Sequence, residues 1–320
     1  MGETSNFLVY WQCRMRIVSL IASATEMVAA LGKAGDLVGI SHECDWPKEA
    51  VEGRSVVTSP KMDVRKSTLE IHNDVQEILS KGLSVYNIDV EKLKELRPDI
   101  IITQDQCEVC AVTYEDVLKA TKGCLGENIK VVNLHPDSLG DIFEDILKVG
   151  EALGVRDRAE KLLGEIRVKM ANIAKKIGDV HGDAPQKRGT SPRPRVICLD
   201  WTSPFMAAGY WMPELVEMAG GINGITQKGE HTKIVSLEEI KAFNPDMTVV
   251  MPCGYTIAQT LENRADLKGL PGKIHIVDGN TYMNRPGPRI LESLYILAGL
   301  FHPDLFKGKI PEGACIPLGT

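Results

Sequence analysis

The sequence has few of the features that mark membrane-spanning, nucleic-acid-binding or disulfide-rich proteins. No apolar run approaches the roughly 18 residues of a membrane-spanning helix, which argues against a transmembrane segment. The net charge of −6 gives no electrostatic basis for binding nucleic acid. Eight cysteines among 320 residues are too few for a disulfide scaffold. A hydrophobic content of 43% with 25% charged residues is that of a globular protein long enough for two domains.

Signals for export and for common catalytic classes are also missing. Residues 1–15 contain only a short apolar stretch with no basic residue before it, so we expect a cytoplasmic protein. Gly-x-Gly-x-x-Gly, Walker and Gly-x-Ser-x-Gly motifs do not occur, and no base can be assigned to Ser23 or Thr25. The sequence therefore favours a binding protein over an enzyme.

The most informative pattern is a segment that occurs twice. Residues 93–103 read Leu-Lys-Glu-Leu-Arg-Pro-Asp-Ile-Ile-Ile-Thr, and residues 240–250 read Ile-Lys-Ala-Phe-Asn-Pro-Asp-Met-Thr-Val-Val. In both copies Pro ends a short helix, because it lacks an N–H and biases the residue before it toward extended geometry. The apolar run that follows is typical of a buried parallel strand. Two copies predict two similar lobes with a ligand cleft between them.

Strands alternate with helices along most of the chain, which predicts an α/β fold with parallel sheets. Residues 139–180 instead show apolar residues at helical spacing, so we expect a long helical connector between the two lobes. We also expect a monomer. The predicted division is an N-terminal extension (1–15), an N-terminal lobe (16–138), connecting helices (139–180), a flexible loop (181–194), a C-terminal lobe (195–307) and a C-terminal tail (308–320).

Thiol and imidazole side chains follow two predicted strands of the first lobe. His42 and Cys44 form a His-x-Cys pair, and Cys107 and Cys110 form a Cys-x-x-Cys pair. Ligands of parallel α/β sheets lie beyond the carboxyl ends of the strands, where these loops meet. The four side chains suit zinc or another thiophilic metal. Reduced buried thiols without a ligand, and a redox dithiol, remain open as alternatives.

Aromatic residues make up only 5% of the chain, yet most of the large ones fall in loops after predicted strands. Planar side chains in a cleft stack on a flat or bulky ligand and bury much of its surface. The alternative is ordinary packing under loops. The predicted ligand contacts are Trp46, Trp201, Phe205, Tyr210, Trp211, Tyr255 and Tyr282, together with Ser23 and Thr25 after the first strand.

A short loop near the C-terminal end adds positive charge to this set. Residues 284–289 read Asn-Arg-Pro-Gly-Pro-Arg, and the Pro and Gly residues restrict the loop. Two arginines held in this loop, Arg285 and Arg289, suit a ligand carboxylate or phosphate bound through two parallel hydrogen bonds, and Arg285 is the predicted ligand contact. The alternative is an Arg that packs across the start of the closing helix.

These motifs resemble those of the iron-siderophore and vitamin B12 periplasmic-binding family. The similarity begins with Arg-Ile-Val-Ser-Leu-Ile-Ala-Ser-Ala-Thr-Glu at residues 16–26 and continues through residues 93–102. It includes residues 201–209 and 285–290, so it covers about residues 16–305. The pattern is most similar to the cobalamin-binding branch of that family.

The resemblance implies cobalamin, a related corrinoid or another metal chelate held between two Rossmann-like lobes. It implies ligand contacts for the Trp46 loop and for segments 201–205 and 282–285, and an ABC transporter permease as a partner. The Cys/His set leaves a second hypothesis open. On that hypothesis the chain is a cytosolic metalloprotein or enzyme that binds zinc or remodels the metal of a tetrapyrrole.

Overall fold

The computed structural model describes residues 14–81, 83–106, 114–124, 129–181 and 193–319. Within these ranges the strands form two larger sheets and a two-stranded ribbon. The strands are β1 Ile17–Ser19, β2 Leu37–Ile40, β3 Ser55–Val56, β4 Thr58–Pro60, β5 Tyr86–Ile88, β6 Ile100–Gln104, β7 Lys130–Leu134, β8 Arg195–Thr202, β9 Phe205–Ala207, β10 Ile222–Asn223, β11 Lys233–Ile234, β12 Met247–Val250, β13 Lys273–Val277 and β14 Cys315–Pro317.

The helices surround these sheets and connect their strands. They are α1 Ala22–Ala30, α2 Lys48–Val51, α3 Thr68–Ser80, α4 Val90–Leu96, α5 Tyr114–Cys124, α6 Leu139–Ala152, α7 Arg156–His181, α8 Met212–Met218, α9 Leu237–Phe243, α10 Ile257–Glu262 and α11 Ile290–Phe301. Shorter turns of 3-10 helix span Ala34–Asp36 and Arg264–Leu267, and a π-helical turn spans Gly279–Met283. No helix in the described ranges is long and apolar enough to cross a membrane.

The sheet topology confirms the predicted α/β fold with two lobes. The first sheet has the order β3-β2-β1-β6-β7 with all strands parallel. In the second sheet β8, β10, β12 and β13 pair in parallel, whereas β9, β11 and β14 add antiparallel strands. β14 comes from the predicted C-terminal tail. In the first sheet the strand order reverses at β1, so a ligand crevice is expected beyond the carboxyl end of this strand.

The duplicated segment ends a helix and anchors a strand in the same way in both lobes. α4 and α9 each end at a residue with left-handed backbone, with φ of 42° and 51°. The Asp of each Pro-Asp pair then accepts a hydrogen bond from the first residue of the lobe. Arg16 N–H donates to Asp99 Oδ2 at 2.7 Å, and Arg195 N–H donates to Asp246 Oδ2 at 2.8 Å. Each Asp therefore fixes the start of the lobe's first strand, β1 or β8, beside the next parallel strand, β6 or β12.

One large apolar cluster joins the two lobes through the connecting helices. It includes Ile146 of α6, Ile166 of α7, Leu215 of α8 and Leu294 of α11, all with side chains at most 4% exposed. α6 and α7 have the apolar spacing of helices that pack on a shared core, as the sequence predicts. The connector thus belongs to the core of both lobes.

Candidate functional site

The two lobes contact each other through charged side chains in α1 and in the loops that follow β2 and β13. Arg285 is only 4% exposed, and its Nη1 donates to Glu26 Oε1 at 3.0 Å and to Asp45 Oδ1 at 2.5 Å. Its Nη2 donates to Asp45 Oδ2 at 2.9 Å and to Asn280 Oδ1 at 3.1 Å. The guanidinium therefore grips the Asp45 carboxylate through two parallel hydrogen bonds. We call Glu26, Asp45, Asn280, Arg285 and Arg289 the interlobe charge cluster.

Arg289 connects this cluster to two aromatic rings, one from each lobe. Its Cζ lies 5.2 Å from the centroid of the Trp46 ring and 4.8 Å from that of Tyr282. Its Nη1 also lies 3.5 Å from Glu26 Oε1. Trp46 remains 46% exposed despite this contact, which is unusual for so large an apolar side chain. The result is an aromatic and cationic surface between the lobes.

The loop that carries Tyr282 and Arg285 is held by its own hydrogen bonds. Asp278 Oδ1 accepts from Thr281 N–H at 2.7 Å at the start of the π-helical turn. A Cβ at Gly279 would lie 2.1 Å from the carbonyl oxygen of Pro252, so only glycine permits this close approach. The loop therefore presents its side chains in a fixed geometry.

Burial changes the pKa of Glu26 and leaves two polar atoms near it without a partner in the described part of the chain. Desolvation raises the pKa of Glu26 above its usual range, and the charges of Arg285 and Arg289 oppose this rise. Glu26 Oε2 and Ser23 Oγ are buried without a hydrogen-bond partner among the described residues. Since buried polar atoms are normally paired, these two atoms are candidates for contact with a bound molecule.

A second interlobe contact joins α3 to the C-terminal lobe. Thr68 Oγ1 donates to Asp266 Oδ2 at 2.6 Å. The Trp201 Nε1–H is shared between two carbonyl oxygens, that of Ser203 at 3.1 Å and that of Thr68 at 3.3 Å. The Tyr255 ring meets the Trp201 ring edge-on at 5.3 Å and packs in an apolar cluster with α3 side chains such as Ile71. We call Thr68, Trp201, Tyr255 and Asp266 the second interlobe contact.

The predicted ligand contacts thus divide between different places. Trp46, Tyr282 and Arg285 meet around the interlobe charge cluster, whereas Trp201 and Tyr255 meet at the second interlobe contact.

Four of the remaining predicted contacts have local partners. Thr25 is fully buried and donates from Oγ1 to Ser19 Oγ at 2.8 Å. Phe205 packs against the core of the C-terminal lobe, and Trp211 is 6% exposed within the large apolar cluster. The Tyr210 hydroxyl lies 3.1 Å from a ring nitrogen of His231. These contacts are packing and hydrogen bonds within the protein, and a ligand-binding role for these four residues stays a prediction.

The predicted metal ligands are only partly within the described residues. Cys44 is 8% exposed, its Sγ lies 3.1 Å from Thr25 Oγ1, and burial raises its pKa to about 11. His42 Nδ1 lies 2.7 Å from Thr58 Oγ1. Cys107 and Cys110 lie outside the described residues, and the described ranges contain no group of three or more His, Cys, Asp or Glu able to hold a metal ion. The four-ligand metal site stays a prediction.

Three members of the interlobe charge cluster were not selected from the sequence. Glu26 was recognisable as the one charged residue in the otherwise apolar or small α1 segment Ala-Ser-Ala-Thr-Glu-Met-Val-Ala-Ala. Asp45 directly precedes Trp46, a position that suggests a cleft location without naming its partner. Asn280 carried no signal, because its contacts to Arg285 and Asp45 depend on how the lobes meet.

A second polar cluster lies where β6 and β7 end. His135 Nδ1 lies 2.6 Å from Asp105 Oδ1, and its Nε2 lies 3.3 Å from Asp137 Oδ2. Hydrogen bonding to Asp105 raises the pKa of His135 above its usual range. The His135 backbone N–H donates to Asp145 Oδ2 at 3.1 Å, and burial raises the pKa of Asp145 to about 7.

The stability of the protein should depend on pH through Asp145. In the unfolded chain this carboxyl ionises near 3.8, whereas in the folded chain it does so near 7. Between these values the folded state binds more protons, so the free energy of unfolding falls as pH rises. The free energy of unfolding of Asp145→Asn, relative to that of the wild type, should therefore rise by about 3 kcal/mol from pH 5 to pH 8, measured by urea unfolding. Asp304→Asn, at an exposed site, is the control; a pH-independent difference for Asp145→Asn would contradict the expectation.

An apolar cavity of about 720 Å³ lies at the other end of the second sheet. Asp246, Lys273 and Cys315 line it, together with Phe301 and Ile310. The first two of these residues lie where β12 and β13 begin. This cavity is therefore separate from the loops at the carboxyl ends of the strands.

Comparison with known proteins identifies the family. The model of the family described as "Periplasmic binding protein" matches residues 17–272. The chain belongs to this family. The resemblance seen in the sequence is thus confirmed, and ligand binding of the periplasmic-binding-protein type is the function of the family fold.

Three similar proteins illustrate the range of the family. An uncharacterized ABC transporter substrate-binding lipoprotein, YvrC of Bacillus subtilis (strain 168), is 24% identical over 91% of this chain and 81% of its own length. A vitamin B12-binding protein of Photorhabdus laumondii is 21% identical over 87% of this chain and 84% of its own. The crystal structure of a periplasmic heme-binding protein from Pseudomonas aeruginosa shares the fold with a TM-score of 0.66, at 22% identity, over 96% of this chain and 95% of its own.

These findings correct the cytoplasmic localisation expected from the N-terminal residues. The matched family is periplasmic, one relative is a lipoprotein, and the similar solved structure is a periplasmic protein. The expectation was wrong because a weak N-terminal pattern was used as a signal of location, whereas the rest of the chain carries the family's motifs.

Proposed function

We propose that this protein binds a cobalamin-like corrinoid or a similar flat metal chelate between its lobes and delivers it to an ABC transporter permease. The observation that carries the proposal is the meeting of Trp46, Tyr282, Arg285 and Arg289 between the lobes. Aromatic rings provide stacking area for a large planar ligand, and guanidinium groups bind its polar edges.

Family membership supports the same conclusion. The vitamin B12-binding relative and the heme-binding structure both carry tetrapyrrole-type ligands according to their names. These ligands share a flat ring system around a metal and polar groups at the edge. The surface formed by Trp46, Tyr282 and Arg289 has matching chemistry, since its rings are apolar on the face and its guanidinium is a hydrogen-bond donor.

Ligand entry requires the lobes to part. Arg285 is 4% exposed and Tyr255 is 7% exposed, so both are covered by the opposite lobe. We therefore propose that the second interlobe contact separates when ligand enters and that the ligand reaches Arg285 within the interlobe charge cluster. The Glu26–Arg285 hydrogen bond and helices α6 and α7 keep the lobes connected.

The test is a titration of the purified protein with hydroxocobalamin and, separately, with hemin. Binding is followed by the visible absorbance of the ligand and by calorimetry. We expect saturable one-to-one binding of at least one of these ligands, with a rise in the unfolding temperature of the protein. Neither a spectral change nor heat with either ligand would refute the proposal. Myoglobin lacking heme and serum albumin serve as positive controls for the hemin stock.

A further inference from the structure

Asp45 is bound as a ligand carboxylate would be bound. Both of its oxygens accept from the guanidinium of Arg285, at 2.5 and 2.9 Å, and Asn280 Nδ2 donates to Oδ2 at 3.2 Å. The Asp45 side chain is 51% exposed, whereas that of Arg285 is 4% exposed. The Arg285 guanidinium thus lies in the interior, and the Asp45 carboxylate reaches it from a loop at the interlobe surface.

We propose that Asp45 is an internal substitute for a carboxylate of the ligand, and that the two exchange on Arg285 when ligand enters. This inference rests on the proposed function, because it requires a ligand between the lobes. It adds a substrate class: a chelate that carries a carboxylate at its edge. It also means that the Asp45–Arg285 contact inhibits ligand binding. A ligand without an anionic group cannot replace Asp45 in this contact.

Two features favour exchange over a permanent ion pair. Arg285 keeps a second carboxylate partner, since its Nη1 also donates to Glu26 Oε1 at 3.0 Å, so the guanidinium stays oriented and neutralised after Asp45 leaves. Asp45 lies in a loop and is half exposed, so its released carboxylate gains solvation. The incoming carboxylate then restores the two parallel hydrogen bonds that Asp45 gives up.

The first test asks whether the vacated position accepts a free carboxylate. In Asp45→Ala the Arg285 guanidinium lacks the Asp45 carboxylate. Formate is a free carboxylate, so adding it should raise the unfolding temperature of this variant in a saturable way. Sodium chloride at equal ionic strength should not do so. Formate should also have no specific effect on the wild type, on Asp266→Ala, or on the double variant Asp45→Ala/Arg285→Gln. No formate-specific stabilisation of Asp45→Ala, or an equal effect in Asp266→Ala, would overturn the proposal.

The second test uses hemin, which carries carboxylates, and hemin dimethyl ester, in which they are blocked. Asp45→Asn removes the competing charge but keeps the side-chain shape, so the affinity for hemin relative to the ester should rise about tenfold. Asp266→Asn is the matched control, because it removes the same charge from the second interlobe contact. Its ratio should equal that of the wild type.

The outcomes separate the two proposals. If both ligands bind and Asp45→Asn leaves their ratio unchanged, the exchange is refuted while the proposed function stands. If neither ligand binds to any form, the proposed function fails, and the formate experiment still decides whether Arg285 accepts a carboxylate from outside the chain. An equal gain for hemin and ester in Asp45→Asn would show loosened lobes without exchange and would also refute the inference.

Discussion

Replacing Arg285 with Met should lower the free energy of unfolding by about 3 kcal/mol, because it leaves Glu26 buried without its main cationic partner. The Glu26 side chain is only 2% exposed, and its pKa is already raised by burial while both arginines are present. Loss of Arg285 raises that pKa further. The destabilisation should therefore be smaller at pH 5 than at pH 8, since a protonated Glu26 costs less to bury.

The matched control is Arg65→Met. Arg65 also binds an aspartate through two hydrogen bonds, with Nε donating to Asp63 Oδ1 at 2.9 Å and Nη2 to Asp63 Oδ2 at 3.0 Å, but this pair lies in solvent. The same substitution there should leave the unfolding transition unchanged. Urea unfolding of both variants gives the comparison. Equal losses, or a loss at Arg285 that does not depend on pH, would show that the loss does not come from a Glu26 carboxylate left buried without its cationic partner.

Replacing Trp46 with Ala should weaken ligand binding by about 2 kcal/mol, or roughly thirtyfold, with little change in stability. The ring is 46% exposed and stacks on Arg289, so its removal costs the folded protein little burial. A ligand that enters between the lobes covers the rest of the ring, and that area is lost in the variant. Calorimetric titration with hydroxocobalamin or hemin measures the change.

Phe143→Ala is the control for Trp46→Ala. Phe143 is also an aromatic ring under a guanidinium, with the Cζ of Arg167 at 5.1 Å from its centroid, but it lies on the connecting helix α6. This variant should bind ligand like the wild type even if it is less stable. Unchanged affinity in Trp46→Ala, or an equal loss in Phe143→Ala, would remove Trp46 from the binding surface.

Much of the fold was predictable because the signals that encode it are local. The Pro-Asp pair ends a helix and starts a buried strand through interactions within a few residues, and it does so at both Pro98 and Pro245. The pattern of strands and helices around these two points was enough to indicate parallel sheets. The antiparallel strand β14 was not anticipated, since a three-residue edge strand has no periodicity of its own.

The sequence indicated where part of the candidate site lies but missed three of the residues that form it. Trp46, Tyr282 and Arg285 were selected because they follow strands, and they do meet between the lobes. Trp211 was selected on the same grounds, and the structure places it in the core at 6% exposure. The sequence shows which residues follow a strand, but the direction in which each side chain points depends on the local backbone.

The sequence by itself determined the two-lobed α/β architecture, the helical connector and the family. Only the tertiary structure decided that Arg285 binds Asp45 and Glu26, which lie 240 and 259 positions away along the chain. An isolated Arg in a sequence has many carboxylates available as partners, and the choice among them is made when the lobes dock. The connecting helices and the apolar core fix that docking, and with it the charges that meet between the lobes.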